Sequence, residues 1–184
     1  MKCLTCGIDS REIGQFCGMC GAPQGESSAP SARVSSVEPA YEFRTEVQRT
    51  CYEKVAGYGK ELFGELFKPG KEPPTFFLRF GSSSVGVSVI DWGDNNAVID
   101  VWSWVVTKVG MSDDLMGYLL RENYKKRFGA FRLNENNDIH YSHKIAGASC
   151  DKYELKASMM AVAIAADEYD DEIKARWGGE RWVD

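Results

Sequence analysis

Seven apolar residues near the C-terminus constrain this chain more than any other feature. Leu155, Met159, Val162, Ala166, Tyr169, Ile173 and Trp177 follow one another at steps of four and three. That spacing puts them on one stripe of an α-helix, while Lys152, Glu154, Lys156, Glu168, Asp171, Glu172 and Lys174 take the other side. Asp151 opens the helix and Gly178-Gly179 ends it. The acidic run 167–172 reads as a solvated face, with Asp170–Lys174 and Glu172–Arg176 paired one turn apart. A cation or partner contact is the rival reading of that run.

A helix with one apolar stripe needs a layer to lie on, and the middle of the chain supplies it. Residues 75–80 and 84–92 flank Gly81-Ser-Ser, and residues 97–107 follow Gly93-Asp-Asn-Asn. Connections this short predict an antiparallel meander. Alternation gives one core face: Phe76, Leu78, Phe80, Val85, Val87, Val89, Ile99, Val101 and Val105. Gly81-Ser-Ser-Ser-Val-Gly is no phosphate loop, because it lacks the Lys-Ser/Thr ending and precedes a strand.

Helical patterns flank this meander. Residues 41–67 place Phe43, Val47, Cys51, Val55 and Tyr58 on one side, with Leu62, Phe63, Leu66 and Phe67 beyond a weak point at Gly57 and Gly59. Cys51 falls in the stripe and reads as a small buried hydrophobe rather than a reactive thiol. Lys68-Pro-Gly-Lys-Glu-Pro-Pro stops that helix. Ser112 caps a second helix with Leu115, Leu119 and Leu120 inward, and Arg121, Lys125, Lys126 and Arg127 complement its C-terminal end, an anion contact being the rival reading of that basic cluster. Residues 128–133 and 138–146 form a hairpin around Asn134-Glu-Asn-Asn. His140 and His143 lie three apart in a strand, so they point to opposite faces and share no metal.

The N-terminus carries separate chemistry. Cys3 and Cys6, then Cys17 and Cys20, form paired C-x-x-C motifs, the pattern of a four-cysteine zinc site. Gly7 and Gly21 let the backbone fold back toward the thiolates. The stretch resembles the short zinc ribbons at the N-termini of many bacterial and archaeal proteins, down to Phe16 before Cys17. One structural Zn2+ per chain is expected, with no open position for catalysis; a redox dithiol pair or a disulfide staple is the alternative. The ribbon is placed at residues 1–22, a Ser/Pro/Ala-rich linker at 23–40 and the main domain at 41–184.

Composition bounds the partners. The 184 residues are 43% apolar, with net charge −5, which does not favour nucleic acid or an anionic membrane. No apolar run reaches the roughly 18 residues of a membrane span, and no signal-peptide core precedes the cysteines. A cytoplasmic protein with reduced cysteines is expected.

Leu119-Leu-Arg-Glu-Asn123, Phe128-Gly-Ala-Phe131, Asp138-Ile-His-Tyr141 and Ala165-Ala-Asp-Glu-Tyr-Asp-Asp-Glu172, closing on Gly178-Gly179, resemble the YbjN-like family. That family belongs to a wider group whose fold is similar to type III secretion chaperones. The resemblance covers roughly residues 42–180. It implies a non-enzymatic, chaperone-like or sensory-regulatory role in bacteria, with dimeric relatives and no catalytic set to carry over.

The expected fold is α+β, an antiparallel sheet with helices packed on one face, preceded by the ribbon. The uncovered face then offers Phe77, Ile90, Trp92, Trp102 and Trp104 beside Arg79, Ser88 and Asp100. Large aromatics with Arg are interface composition, so this face is expected to bind protein, either a client or a second copy. The bland alternative tucks the tryptophans beneath the first helix or the Pro73-Pro74 loop. A non-catalytic protein-interaction module is the leading functional reading. A nucleic-acid-associated regulator using the ribbon is the second, weakened because Lys2 and Arg11 are its only basic residues. An enzyme is the third, with no nucleophile–base pair in any motif context.

Overall fold

The computed structural model describes residues 41–182 apart from 72, 73, 82, 94 and 95. Cys3, Cys6, Cys17, Cys20 and the linker lie outside the described residues, as does Pro73. The chain divides after Ala40, and the unit from Tyr41 onward is described by itself.

Helix α1 runs Glu46–Phe63, later than the apolar pattern suggests, because the Thr45 hydroxyl caps it by accepting from the Gln48 N–H. The cap sets the helix phase. Gln48 takes a buried position beside half-buried Val47 and donates to the Val89 carbonyl at 2.9 Å. The expected weak point at Gly59 is a contact. Gly64, at φ 59°, ends the helix, and a 3-10 turn over Gly64–Leu66 swings Phe67 back onto Gly59. Leu66 is exposed there, contrary to its place in the apolar stripe. The terminating segment also contributes a strand that the sequence did not announce: β1, Lys68–Pro69, pairs with the strand Thr75–Phe80.

The sheet has six strands in the order β1-β2-β3-β4-β6-β5, where β2 is Thr75–Phe80, β3 Ser83–Asp91, β4 Ala97–Val106, β5 Ala130–Leu133 and β6 Ile139–Ala146. Each neighbouring pair is antiparallel. The core face is the one alternation assigns: Phe76, Leu78, Val85, Val87, Val89, Ile99, Val101 and Val105 are buried, and Phe80 is half-buried.

Helix α3, Lys152–Trp177, crosses β3, β4 and β6, and α1 lies against β3 and β4. Leu155, Met159, Val162 and Ile173 have no exposed surface, and half-buried Trp177 donates its indole N–H to Asp114. Helix α2, Asp113–Lys125, starts at Ser112 as expected and packs against β5. Its inward stripe is Leu115, Tyr118, Leu119 and Glu122, so Leu120 faces solvent. The helical repeat allows only one of two adjacent stripes inward, and Leu120 falls with exposed Met116 and Tyr124.

Both free edges of the sheet are short. At β5, Asn123 takes the place of a further strand: its side-chain oxygen accepts from the Phe131 N–H at 2.6 Å, and its NH2 donates to the Phe131 carbonyl at 3.3 Å. Beyond α3 the chain turns at Gly178 and continues along the end of β4, where Thr107 and Glu180 exchange backbone hydrogen bonds of 2.8 Å. Arg181 then pairs with Asp170 at 3.0 Å and Asp171 at 2.6 Å. Asp170 therefore finds Arg181 rather than Lys174. It is buried, and a buried carboxylate needs a cation held close by the fold. The expected Glu172–Arg176 pair is present at 3.0 Å.

Candidate functional site

The cross-strand register builds the outer face row by row. Lys68, Phe77, Gly86, Trp102, Ser142 and Ala130 stand side by side across the sheet. Next to them run Thr75, Ser88, Asp100 and Lys144, and on the other side Trp104, His140 and Arg132. The row through Gly86 fixes the posture of Trp102. With no side chain beneath it, the indole lies over β3 and meets Phe77 edge-on, centroids 5.8 Å apart. Its N–H donates to the Ser88 hydroxyl at 3.0 Å, and Ser88 bonds Thr75 in turn.

Trp104 is held differently. His140 packs on one side, ring centroids 3.8 Å apart, and Trp182 stacks on it at 5.9 Å with the planes 15° from parallel. Trp102 and Trp104 are thus half-buried, and their cover is the C-terminal segment and their own neighbours. The first helix lies on the opposite side of the sheet and covers neither. Phe77 is half-buried too, while Ile90 and Trp92 are exposed at the other end of β3. The polar row of Thr75, Ser88, Asp100 and Lys144 separates the two groups, so the patch read from the sequence as continuous is two patches.

An open groove of about 550 Å³ adjoins the larger patch, lined by Phe77, Trp102, Trp182, Thr75 and the Pro69-Gly70-Lys71 segment. That volume is in the range of ligand sites. Two buried polar residues lie nearby. Asp100 is 4% exposed, and one of its oxygens accepts from Arg132 at 2.7 Å and Lys144 at 3.1 Å while the other has no partner among the described residues. His140 is 8% exposed, with neither ring nitrogen partnered among the described residues. Burial, reinforced by the positive charge of Arg132, holds its pKa down to about 4. It is therefore neutral at physiological pH. His143 lies on the core face against the Ser158 hydroxyl, so the two histidines are on opposite sides as expected.

The remaining candidates resolve into structure. Cys51 is buried, and burial raises its thiol pKa, as it raises that of Cys150 to about 11. Neither is a thiolate at neutral pH. In the basic cluster, Lys125 bonds Glu122 at 2.6 Å, and Lys126 lies over the Tyr169 ring and reaches Glu168. Among the described residues no group of His, Cys, Asp and Glu could hold a metal ion, and no helix is long and apolar enough to cross a membrane. Gly86 and Trp182 are the parts of this face that sequence reasoning missed, and His140, read there only as facing away from His143, packs on Trp104. Gly86 opposite a tryptophan in a meander was the one signal available.

The fold and this face can be set against known proteins. The family model for the T3SS (YopN, CesT) and YbjN peptide-binding chaperone 1, TY-Chap1, matches residues 59–184. The chain belongs to the TY-Chap1 family. The match takes in the whole sheet, α2, α3 and the C-terminal segment that carries Trp182. A chain in the solved structure of the HopA1–SchA chaperone–effector complex shares the fold, with a TM-score of 0.53 at 9% identity over 69% of this chain and 98% of that one. No curated protein sequence matches. This TY-Chap1 domain is thus a chaperone-like, peptide-binding α+β module of the type III secretion chaperone kind.

Proposed function

We propose that this protein is a non-catalytic chaperone that binds client polypeptide on the outer face of its sheet. The observation that carries this reading is the groove walled by Phe77, Trp102 and Trp182 in a chain of a peptide-binding family. Half-buried Phe77 and Trp102 on a preformed sheet, with exposed Trp182 beside them, give a peptide contact area without much ordering cost. Hydroxyl-radical footprinting of the full chain with an unfolded, reduced client tests it. Client should protect Phe77, Trp102 and Trp182 from oxidation. Protection confined to the exposed helical residues Leu120, Tyr124 and Tyr153 would refute the assignment of the face.

The paired cysteine spacing supports a second part of the proposal: Cys3, Cys6, Cys17 and Cys20 hold one structural Zn2+ in an N-terminal ribbon of a cytoplasmic protein. Elemental analysis of chelator-free protein should give one zinc per chain, and Cys17→Ser should lose it without lowering the melting temperature of the main domain. Self-association is the second reading. It is favoured by the exposed apolar residues Met116, Leu120 and Tyr124 along α2, and light scattering after size exclusion decides it.

A further inference from the structure

The charge of the outer face runs against the charge of the chain. The protein carries a net −5. The outward positions of the strands nevertheless hold Lys68, Arg79, Arg132 and Lys144 against a single carboxylate, Asp100, among the described residues. Asp100 is buried and already committed to Arg132 and Lys144. It leaves Lys68 and Arg79, both exposed, without a carboxylate among the described residues; exposed Lys71 lines the groove itself, and Lys68 and Arg79 flank its Phe77.

The basic and aromatic groups are in register. Lys68 is paired with Phe77, which is followed across the sheet by Gly86 and Trp102. Adjacent strands are about 4.8 Å apart, so Lys68 stands one strand spacing from Phe77, and Arg79 follows Phe77 by two residues on the same side of its own strand. An extended peptide places side chains i and i+2 about 7 Å apart on one side. It can therefore set an apolar side chain on the floor while a neighbouring carboxylate reaches the rim.

We propose that the groove selects acidic client segments: an extended peptide with one large apolar side chain seated among Phe77, Trp102 and Trp182, and carboxylates against Lys68, Lys71 and Arg79. The inference rests on the peptide-binding reading of this face and adds the chemistry of the client. Aromatic residues with basic neighbours also suit single-stranded nucleic acid. Here Arg132 and Lys144 are tied to Asp100, which breaks the continuous basic track that a phosphate backbone needs.

Fluorescence anisotropy with the full chain tests the proposal. The probes are a labelled peptide with glutamates flanking a central Leu-Phe pair, its lysine counterpart, the glutamate peptide with Leu-Phe replaced by serines, and a labelled oligothymidine. The glutamate Leu-Phe peptide should bind best, with the lysine and serine versions weaker by about tenfold or more, and added salt should weaken it several-fold. The double variant Lys68→Glu, Arg79→Glu, at exposed side chains, should melt like wild type and lose the preference for glutamate. Equal binding of the lysine and glutamate peptides would overturn the acidic selection while leaving peptide binding in place. Binding of no peptide would overturn the peptide-binding reading as well, and preference for oligothymidine over every peptide would replace both with a nucleic-acid face.

Discussion

A Cβ atom on Gly86 would stand 2.5 Å from Cε2 of Trp102. The tryptophan occupies the space that any other residue at position 86 would need, which is why it lies flat beside Phe77. Gly86→Val should therefore lift the indole, break its bond to Ser88 and cost about 1–3 kcal/mol. Near-UV circular dichroism and denaturant melts follow the two effects. Ser88→Ala, which removes only the hydrogen bond, should cost about 0.5–1.5 kcal/mol and leave the ring in place. An unchanged near-UV spectrum in Gly86→Val would mean that the contact does not position Trp102.

The two glycines of α1 should respond with opposite signs. Gly57 is exposed, and a Cβ there would have nothing within 4 Å, so Gly57→Ala should stabilise by about 0.5–1 kcal/mol through helix propensity. At Gly59 the same methyl would lie 2.1 Å from the Phe67 ring, which is itself stacked on Phe76. Gly59→Ala should destabilise despite its better propensity. Thermal melts of the two single variants check the signs, and two stabilised proteins would show that Phe67 moves aside freely.

Met159 is fully buried under α3, whereas Glu154 is exposed on the same helix. Met159→Ala should cost about 2–5 kcal/mol, and Met159→Asp more, because it places a charge in the core. Glu154→Ala should stay within about 0.5 kcal/mol of wild type. Equal losses in urea melts would contradict the packing of this helix.

His140 makes stability depend on pH. Its folded pKa of about 4 lies below the unfolded value of about 6.5, so below pH 6.5 the unfolded chain binds the proton that the folded chain refuses. Its contribution to stability is fully present above about pH 6.5 and is lost as pH falls toward 4, by about 3 kcal/mol. His140→Leu should flatten that part of the profile, since neither ring nitrogen has a bond to lose among the described residues. Urea melts at stepped pH measure the difference, and identical acid limbs in variant and wild type would place the loss elsewhere.

The periodicities were local, so the sequence carried them openly. The four-and-three spacing from Leu155 to Trp177 dictated a helix with one buried side. The alternation through Phe76, Val87 and Val101 dictated which side of a meander faces it. Both follow from backbone geometry within a few residues, and the α+β class came with them. Where phase depends on a single cap or turn, local periodicity does not set it. Thr45 moved the start of α1, and the turn after Gly64 exposed Leu66 and returned Phe67 to Gly59.

Only the tertiary structure decided what the outer face is. The strand order β4-β6-β5 brings His140 beside Trp104 and Arg132 beside Asp100, although these residues are far apart in the chain. The C-terminal segment brings Arg181 to Asp170 and Trp182 to Trp104 across the end of β4. Pairings of this kind depend on register and chain path rather than on local pattern, because a side chain's own neighbours do not encode which distant strand will lie beside it. The sequence could supply five aromatic and aliphatic candidates for that face. Register and the returning tail separated Ile90 and Trp92 from Phe77, Trp102 and Trp104, buried a neutral histidine among the tryptophans, and left the lysines and Arg79 facing solvent.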